Sequence, residues 1–341
     1  MKAFYTILFT CMVLGLAAQD PQFSQYNASP MTLNPALTGF FTGDVRVAAN
    51  FRSQWGSFVN PFRTAAFSVE SSFFKGKWKG DYFALGLSFL SDRAGTVKLT
   101  TNQIGLSLAF KKNLGRTVKH SLAIGVQSFF LQQSISTEML IFDNQYNGIE
   151  ADPTIPSGEV VGSNGKGGVD LGAGFLYQII PNRYYNIYIG GAYYHILAPK
   201  ISLFDNSTYI LKPKYVSHIG AKIDVNKAFN LLPSIAYIRQ AGSQQINVGT
   251  YFQFVLEDGF DFETSFSIGA WARLTDPAPD AIIFGARIDY MNFVLGLSYD
   301  LNISALKTAT QTRGAYELSL IYTGKIITAG QRKMTIPCPQ L

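Results

Sequence analysis

Strict alternation is the feature that most constrains this chain. Apolar and polar side chains change places at every residue, over repeated runs of roughly ten residues, the length of a tilted strand crossing a membrane. Residues 292–302 show it best. Phe293, Leu295, Leu297, Tyr299 and Leu301 share one face; Asn292, Gly296, Ser298, Asp300 and Asn302 share the other, with Val294 the exception. A charged Asp300 between apolar neighbours suits a strand with one lipid face and one lumen face. A strand buried in a soluble sandwich has no place for so many polar groups. The same pattern runs through Leu122, Ile124 and Val126, through Val169, Leu171 and Phe175, through Phe266, Ile268 and Ala270, and through Tyr316, Leu318 and Leu320.

Composition narrows the solvent. Charged residues make up 15% and aromatics 14% of 341 residues, whereas soluble domains carry about 25% charged residues. Past the first 20 residues no apolar run approaches the ~18 residues of a transmembrane helix. A closed antiparallel barrel is then the one way to cross lipid with every backbone group paired. Counting the runs predicts about 14 strands, an even number as bacterial barrels require. Their starts are predicted near residues 43, 62, 81, 97, 119, 168, 184, 213, 229, 244, 260, 281, 292 and 314.

Connection lengths orient the barrel. With the first strand running outward, short turns near 75–80, 111–118, 181–183, 226–228, 257–259 and 291 fall on the periplasmic side. The longer connections 134–167, 199–212, 274–280 and 304–313 fall outside, with a tight external turn at 241–243. Tyr184, Tyr185, Tyr188, Tyr193 and Tyr194 crowd one strand and read as an interfacial girdle.

Residues 1–18 read as a cleaved signal peptide: Lys2, an apolar run Phe4 to Leu16, then Ala17-Ala18 before Gln19. Residues 19–42 read as a lead-in broken by Pro21, Pro30 and Pro35, residues 43–327 as the barrel, and 328–341 as a periplasmic tail. Removal of the signal leaves Cys338 alone, so no internal disulfide is expected. The mature charge of about +5 follows from the formal +6 less Lys2, and no basic stripe with stacking aromatics suggests nucleic acid.

The inward set carries both signs: Arg46, Arg52, Glu70, Glu263, Arg287, Asp289, Asp300 and Glu317. It reads either as a pore constriction or as paired charges filling a lumen into which the lead-in folds as a plug. Lys75, Lys77, Lys79, Lys111, Lys112, Arg116 and Lys119 cluster on the periplasmic side, as solvated turns or as a docking surface. No HExxH, CxxC or phosphate loop appears; Gly165 to Gly168 lacks the strand–loop–helix context. His120 and Ser121 are neighbours and so point to opposite faces. No cofactor, metal site or catalytic constellation is expected, and the chain does not read as an enzyme.

Both ends match something specific. QDPQFSQY over residues 19–26, then NASPMTLNPA over 27–36 and Leu37-Thr38-Gly39, resembles the start of the mature PorP/SprF family. So does Arg52-Ser53-Gln54-Trp55. GLSYDLN (296–302) and GAYELSL (314–320) are similar to its last two strands, and Cys338-Pro339 to its ending, although Gln340-Leu341 departs from the usual Arg-Phe. The matching lead-in residues are Asp20, Pro21, Phe23, Ser24, Gln25, Tyr26, Asn34, Pro35 and Gly39.

The resemblance implies an outer-membrane protein of the type IX secretion and gliding machinery of Bacteroidota. It implies secreted cargo, notably adhesins carrying a C-terminal sorting domain, as partner. It also implies a periplasmic ring lipoprotein complex or a peptidoglycan-binding protein, within a membrane of lipid and lipopolysaccharide. Residues expected in partner-binding external loops are Arg52, Trp55, Phe58, Phe142 and Tyr146. The competing expectation is a transport pore with an N-terminal hatch.

Overall fold

The computed structural model describes residues 20–325, except 57–59, 79, 96–97, 116–118, 137–141, 151, 153, 157, 159–166, 202–209, 259–262 and 276–277. The expected signal peptide, Phe58 and the expected tail with Cys338 therefore lie outside the described residues, as do the side chains of Lys77, Lys79, Arg116 and Glu263.

Fourteen strands follow one another in chain order. They are β1 (Val45–Gln54), β2 (Phe62–Trp78), β3 (Asp81–Ala94), β4 (Leu99–Asn113), β5 (His120–Ser134), β6 (Gly168–Asn182) and β7 (Tyr185–Tyr194). Then come β8 (Lys214–Asn226), β9 (Phe229–Gln240), β10 (Ser243–Asp258), β11 (Glu263–Thr275), β12 (Ala278–Tyr290), β13 (Phe293–Asn302) and β14 (Arg313–Gly324). Each pairs antiparallel with its neighbours, and β1 pairs with β14 to close the barrel. Closure leaves no sheet edge, which lipid would punish because it offers no hydrogen bonds. Every predicted start falls within three residues of the observed one.

Alternation sorts the side chains as expected. Leu87, Ile104, Ile124 and Leu297 stand 52–59% exposed on the outside. Their inward neighbours Ser107, Gln127, Asp170, Gln253, Asp300 and Glu317 are buried. Apolar surface outside and polar surface within is stable only when lipid surrounds the cylinder. Val294 turns inward and packs beside Ala28, Ala48 and Ile321.

Two details depart from the sequence-based expectation. The Tyr cluster does not lie wholly at the interface. Tyr184, Tyr185 and Tyr193 point out, whereas Tyr188 and Tyr194 are buried in the lumen. Their even positions share a face opposite Tyr185 and Tyr193, and period-2 geometry overrides the composition of the run. The external connection 274–280 is also shorter than expected, because β11 and β12 stay paired to Thr275↔Ala278 beyond a register shift after Arg273. Pro279 is accommodated beside that irregularity.

Candidate functional site: the lumen and its plug

Residues 20–44 pass through the barrel. Pro21, Pro30 and Pro35 prevent a strand, and the chain condenses instead into three short turns, Tyr26–Ala28, Pro30–Leu33 and Pro35–Leu37. Their side chains meet inward residues from all around the wall. Phe23, Met31, Leu33, Ala36, Leu37 and Phe40 are each no more than 4% exposed. Leu33, Leu37 and Phe40 join Phe129, Leu176, Tyr188, Tyr194 and Ile201 in one apolar cluster. Among the described residues, two voids between plug and wall are small. One beside Tyr26, Trp271 and Arg287 and another beside Asp20, Phe129 and Lys214 each hold about 30 Å³, room for a single water.

Charged groups fix the plug at three levels. In the outer half, Ser24 and Gln25 donate their backbone amides to Glu317 Oε1 and Oε2 at 2.6 and 2.8 Å. The Ser24 hydroxyl donates to Asp300 Oδ2 at 2.8 Å. Arg52 reaches Glu317 at 2.5 Å and Asp300 at 3.0 Å, and Arg273 reaches Asp300 at 2.8 Å and the Ser24 Oγ at 2.9 Å. Two guanidinium groups thus face two carboxylates with the plug amides between them. Buried charges persist only when paired and bonded in this way. Gln25 adds side-chain bonds to Ser298 and Ser319.

At the outer mouth Asp20 lies in a socket built from the external ends of three strands. Its carboxylate accepts from Lys214 Nζ and meets His195 Nε2, each at 3.0 Å, and accepts from Gln240 Nε2 at 3.2 Å. His195, at φ +62° just past β7, also meets Asp170 Oδ2 at 2.6 Å. Burial alone would push the Asp20 carboxyl up. The Lys214 ammonium and then His195 outweigh it and hold that carboxyl well below the usual carboxylate range. Burial opposes the charged form of His195 too, yet its bonds to Asp170 and Asp20 raise its pKa above the ordinary 6.5.

At the inner end Arg46 pairs with Glu70 at 2.7 Å, and Glu70 accepts the Gly39 amide at 2.6 Å. Gly39 sits at φ +74°, and a Cβ there would come within 2.3 Å of the Ala84 Cβ, so only glycine fits. Lys75 donates to the carbonyls of Phe41 and Gly43 at 2.8 and 2.7 Å, and Lys111 lies buried over the Phe40 ring. The periplasmic lysine cluster is thereby corrected. Lys111 binds the plug from within because it keeps the inward parity of Ser107 and Ala109 in β4, and Lys75 does so because the strand irregularity at Phe74, φ +71°, breaks the even inward parity of β2, whereas exposed Lys112 pairs with Asp81.

Midway, Asn34 is fully buried. It donates to the Phe175 carbonyl at 2.9 Å, meets His218 Nε2 at 3.0 Å and accepts the Ala36 amide at 2.9 Å. The wall makes room for it: a Cβ on Gly174 would lie 2.1 Å from the Asn34 Oδ1, and one on Gly125 would lie 2.4 Å from the Pro35 carbonyl carbon. Tyr26 bonds Ser234 at 2.8 Å, and Phe23 and Pro21 fill the remaining outer space.

Of the expected lumen set, Arg46 meets Glu70, Arg287 meets Asp289 at 2.8 Å, and Arg52 meets Asp300 and Glu317, while the Glu263 side chain lies outside the described residues. Arg52 was also expected in an external loop, and that is corrected. It is the eighth residue of β1, 4% exposed, and its even parity with Arg46 turns it inward. Trp55 does stand at the outer rim, at φ +60°, bonded through its amide to the Gly314 carbonyl and edge-on to Phe62 at 5.1 Å. Phe142 starts the turn Asp143–Gln145, and Tyr146 is 57% exposed beside it. Sequence reasoning missed Arg273 and the socket of Asp170, His195 and Lys214. Arg273 was within reach, since it keeps the parity of Ser265 and Ser267. The socket was not, because its members lie on separate strands.

The scan against known families matches the description "Type IX secretion system membrane protein PorP/SprF" over residues 15–322. The chain belongs to the PorP/SprF family. No curated protein sequence matches it. Among solved structures it is similar to the Pseudomonas putida toluene transporter TodX, at 10% identity and TM-score 0.52, covering 92% of this chain and 100% of that one. It is also similar to the Ralstonia pickettii toluene transporter TbuX, at 10% identity and TM-score 0.51, covering 88% and 94%. At such identity the likeness is one of fold alone: a closed antiparallel barrel. As a PorP/SprF barrel the chain resides in the outer membrane and works with the type IX secretion machinery. Its family and fold are those of a secretion-system membrane barrel, not of a known enzyme class.

Proposed function

We propose that this PorP/SprF barrel is a non-enzymatic anchoring component. It binds a secreted surface protein through that protein's C-terminal sorting domain and holds it at the outer membrane. One observation carries the reading: the lumen is filled by residues 20–44, tied at both mouths and in the middle. A lumen filled by residues 20–44, with voids of about 30 Å³ beside Asp20 and Tyr26, offers its rims rather than a path as working surface. Aromatics at the outer rim, Trp55, Phe142 and Tyr146, supply anchors of the kind that dominate interfaces, and Phe58, outside the described residues, is proposed as a further anchor from its place in the sequence. The inner rim would meet the periplasmic ring lipoproteins or a peptidoglycan-binding partner, and the outward strand faces meet lipid and lipopolysaccharide. The mature chain is proposed to begin after residue 18 and to end in a periplasmic tail from 328. A strain lacking the protein should still export other cargo yet lose one surface adhesin; an adhesin that stays on the surface of that strain refutes the anchor.

The second reading is a transport pore with residues 20–44 as a hatch. The fold likeness to two toluene transporters favours it. Planar bilayers separate the two: purified wild-type barrel should carry no sustained current as an anchor and substantial current as an open pore.

A further inference from the structure

The direction of the plug has a consequence for where the chain begins. Asp20 is held by Lys214, the first residue of β8, by Gln240, the last of β9, and by His195, one residue past β7. All three are external strand ends in the orientation that puts the short turns in the periplasm. Further along, Ser24 meets Arg52, Arg273 and Asp300, each near an external strand end. Gly39 then meets Glu70, opposite Arg46 near the inner end of β1, and Phe41 and Gly43 meet Lys75 near the inner end of β2. The segment thus runs inward from the outer mouth and only then turns into β1.

Residue 20 stands at the outer mouth. The Asp20 amide donates to Gln240 Oε1 at 2.8 Å, which places the backbone of residue 20 itself at the β9 rim. Below that point, among the described residues, the voids beside Asp20 and beside Tyr26 hold about 30 Å³ each, too small for a second chain to pass back. We propose that residue 20, and whatever chain remains ahead of it, is presented on the extracellular face. This start of the protein is then open to partners outside the cell and closed to those in the periplasm. It also fixes an order of events. Any leader must be removed by peptide-bond hydrolysis on the inner side before β1 and β14 close around the plug, since afterwards the cleavage point lies on the far side of the barrel.

The test places an epitope tag between Gln19 and Asp20 in the full chain expressed in its own cells. Control tags go in the external connection 303–312 and in the periplasmic turn at Lys227. Antibody on intact cells should label the first tag as fully as the external control and leave the Lys227 tag dark. Protease added outside should remove the first tag without cutting the folded barrel. Labelling that appears only after permeabilisation, alongside a normal external control, overturns the proposal. Should the insertion prevent folding, a Pro21→Cys variant carrying Cys338→Ser, treated with a membrane-impermeant maleimide, decides instead: modification on intact cells supports outward presentation, and modification only of opened cells refutes it.

Discussion

Arg52 and Glu317 stand directly opposite each other on β1 and β14, the two strands whose pairing closes the barrel, and the same Glu317 carboxylate holds the amides of Ser24 and Gln25. One ion pair therefore joins the seam of the cylinder to its plug.

Removing either charge should cost more than removing both. Arg52→Met leaves Glu317 buried without its guanidinium, and breaking a buried pair costs about 3–5 kcal/mol. Thermal unfolding in detergent should shift down strongly for R52M and for E317M, and clearly less for the double variant. Equal, additive losses would refute the pairing.

Plug packing can be broken from the wall. Gly125→Val and Gly174→Val place side-chain atoms where Pro35 and Asn34 now sit, and the rigid backbone contact at Gly125 cannot give way as a flexible side chain could. Both barrels should stay folded, because a wall β-branched residue suits a strand. Bilayer current should rise from none in the wild type to a steady conductance in the variants. A silent G125V barrel with an accessible plug would contradict this account of the lumen.

The outer latch should respond to pH. His195 is faced by Asp20 from the plug, Asp170 from β6, Lys214 from β8 and Phe129 from β5. Its folded pKa lies above the ordinary 6.5, so the stabilisation is full below 6.5 and is lost as pH rises through the folded value. Asp20 is lowered, so its contribution holds above the ordinary 3.8 and fades only in stronger acid. Protease sensitivity around residues 20–24 should thus be least between those limits and increase toward alkaline pH. His195→Gln should flatten the alkaline limb; an unchanged profile in that variant removes His195 from the latch.

Rim aromatics should matter to partners and not to folding. Trp55→Ala and Tyr146→Ala should leave heat-resistant barrel levels unchanged while lowering the amount of adhesin retained on the cell surface. Retention equal to wild type in the combined variant would exclude this rim.

The barrel was legible in the sequence because strand alternation is local: each residue's face follows from its neighbours, so strand number, direction and the inward parity of Arg46, Glu70, Asp300 and Glu317 need no tertiary information. The two buried tyrosines at 188 and 194 yield to the same rule. The lead-in motif marked residues 20–39 as special but not why, since a proline-broken segment has no period to read. Only the closed cylinder decided which charges meet. His195, Lys214 and Asp20 lie far apart in the chain, and Arg273 finds Asp300 across two strands, because register and curvature bring distant strands to one axis. Sequence thus determined the wall, and the tertiary structure determined the plug's path, its partners and the mouth at which it begins.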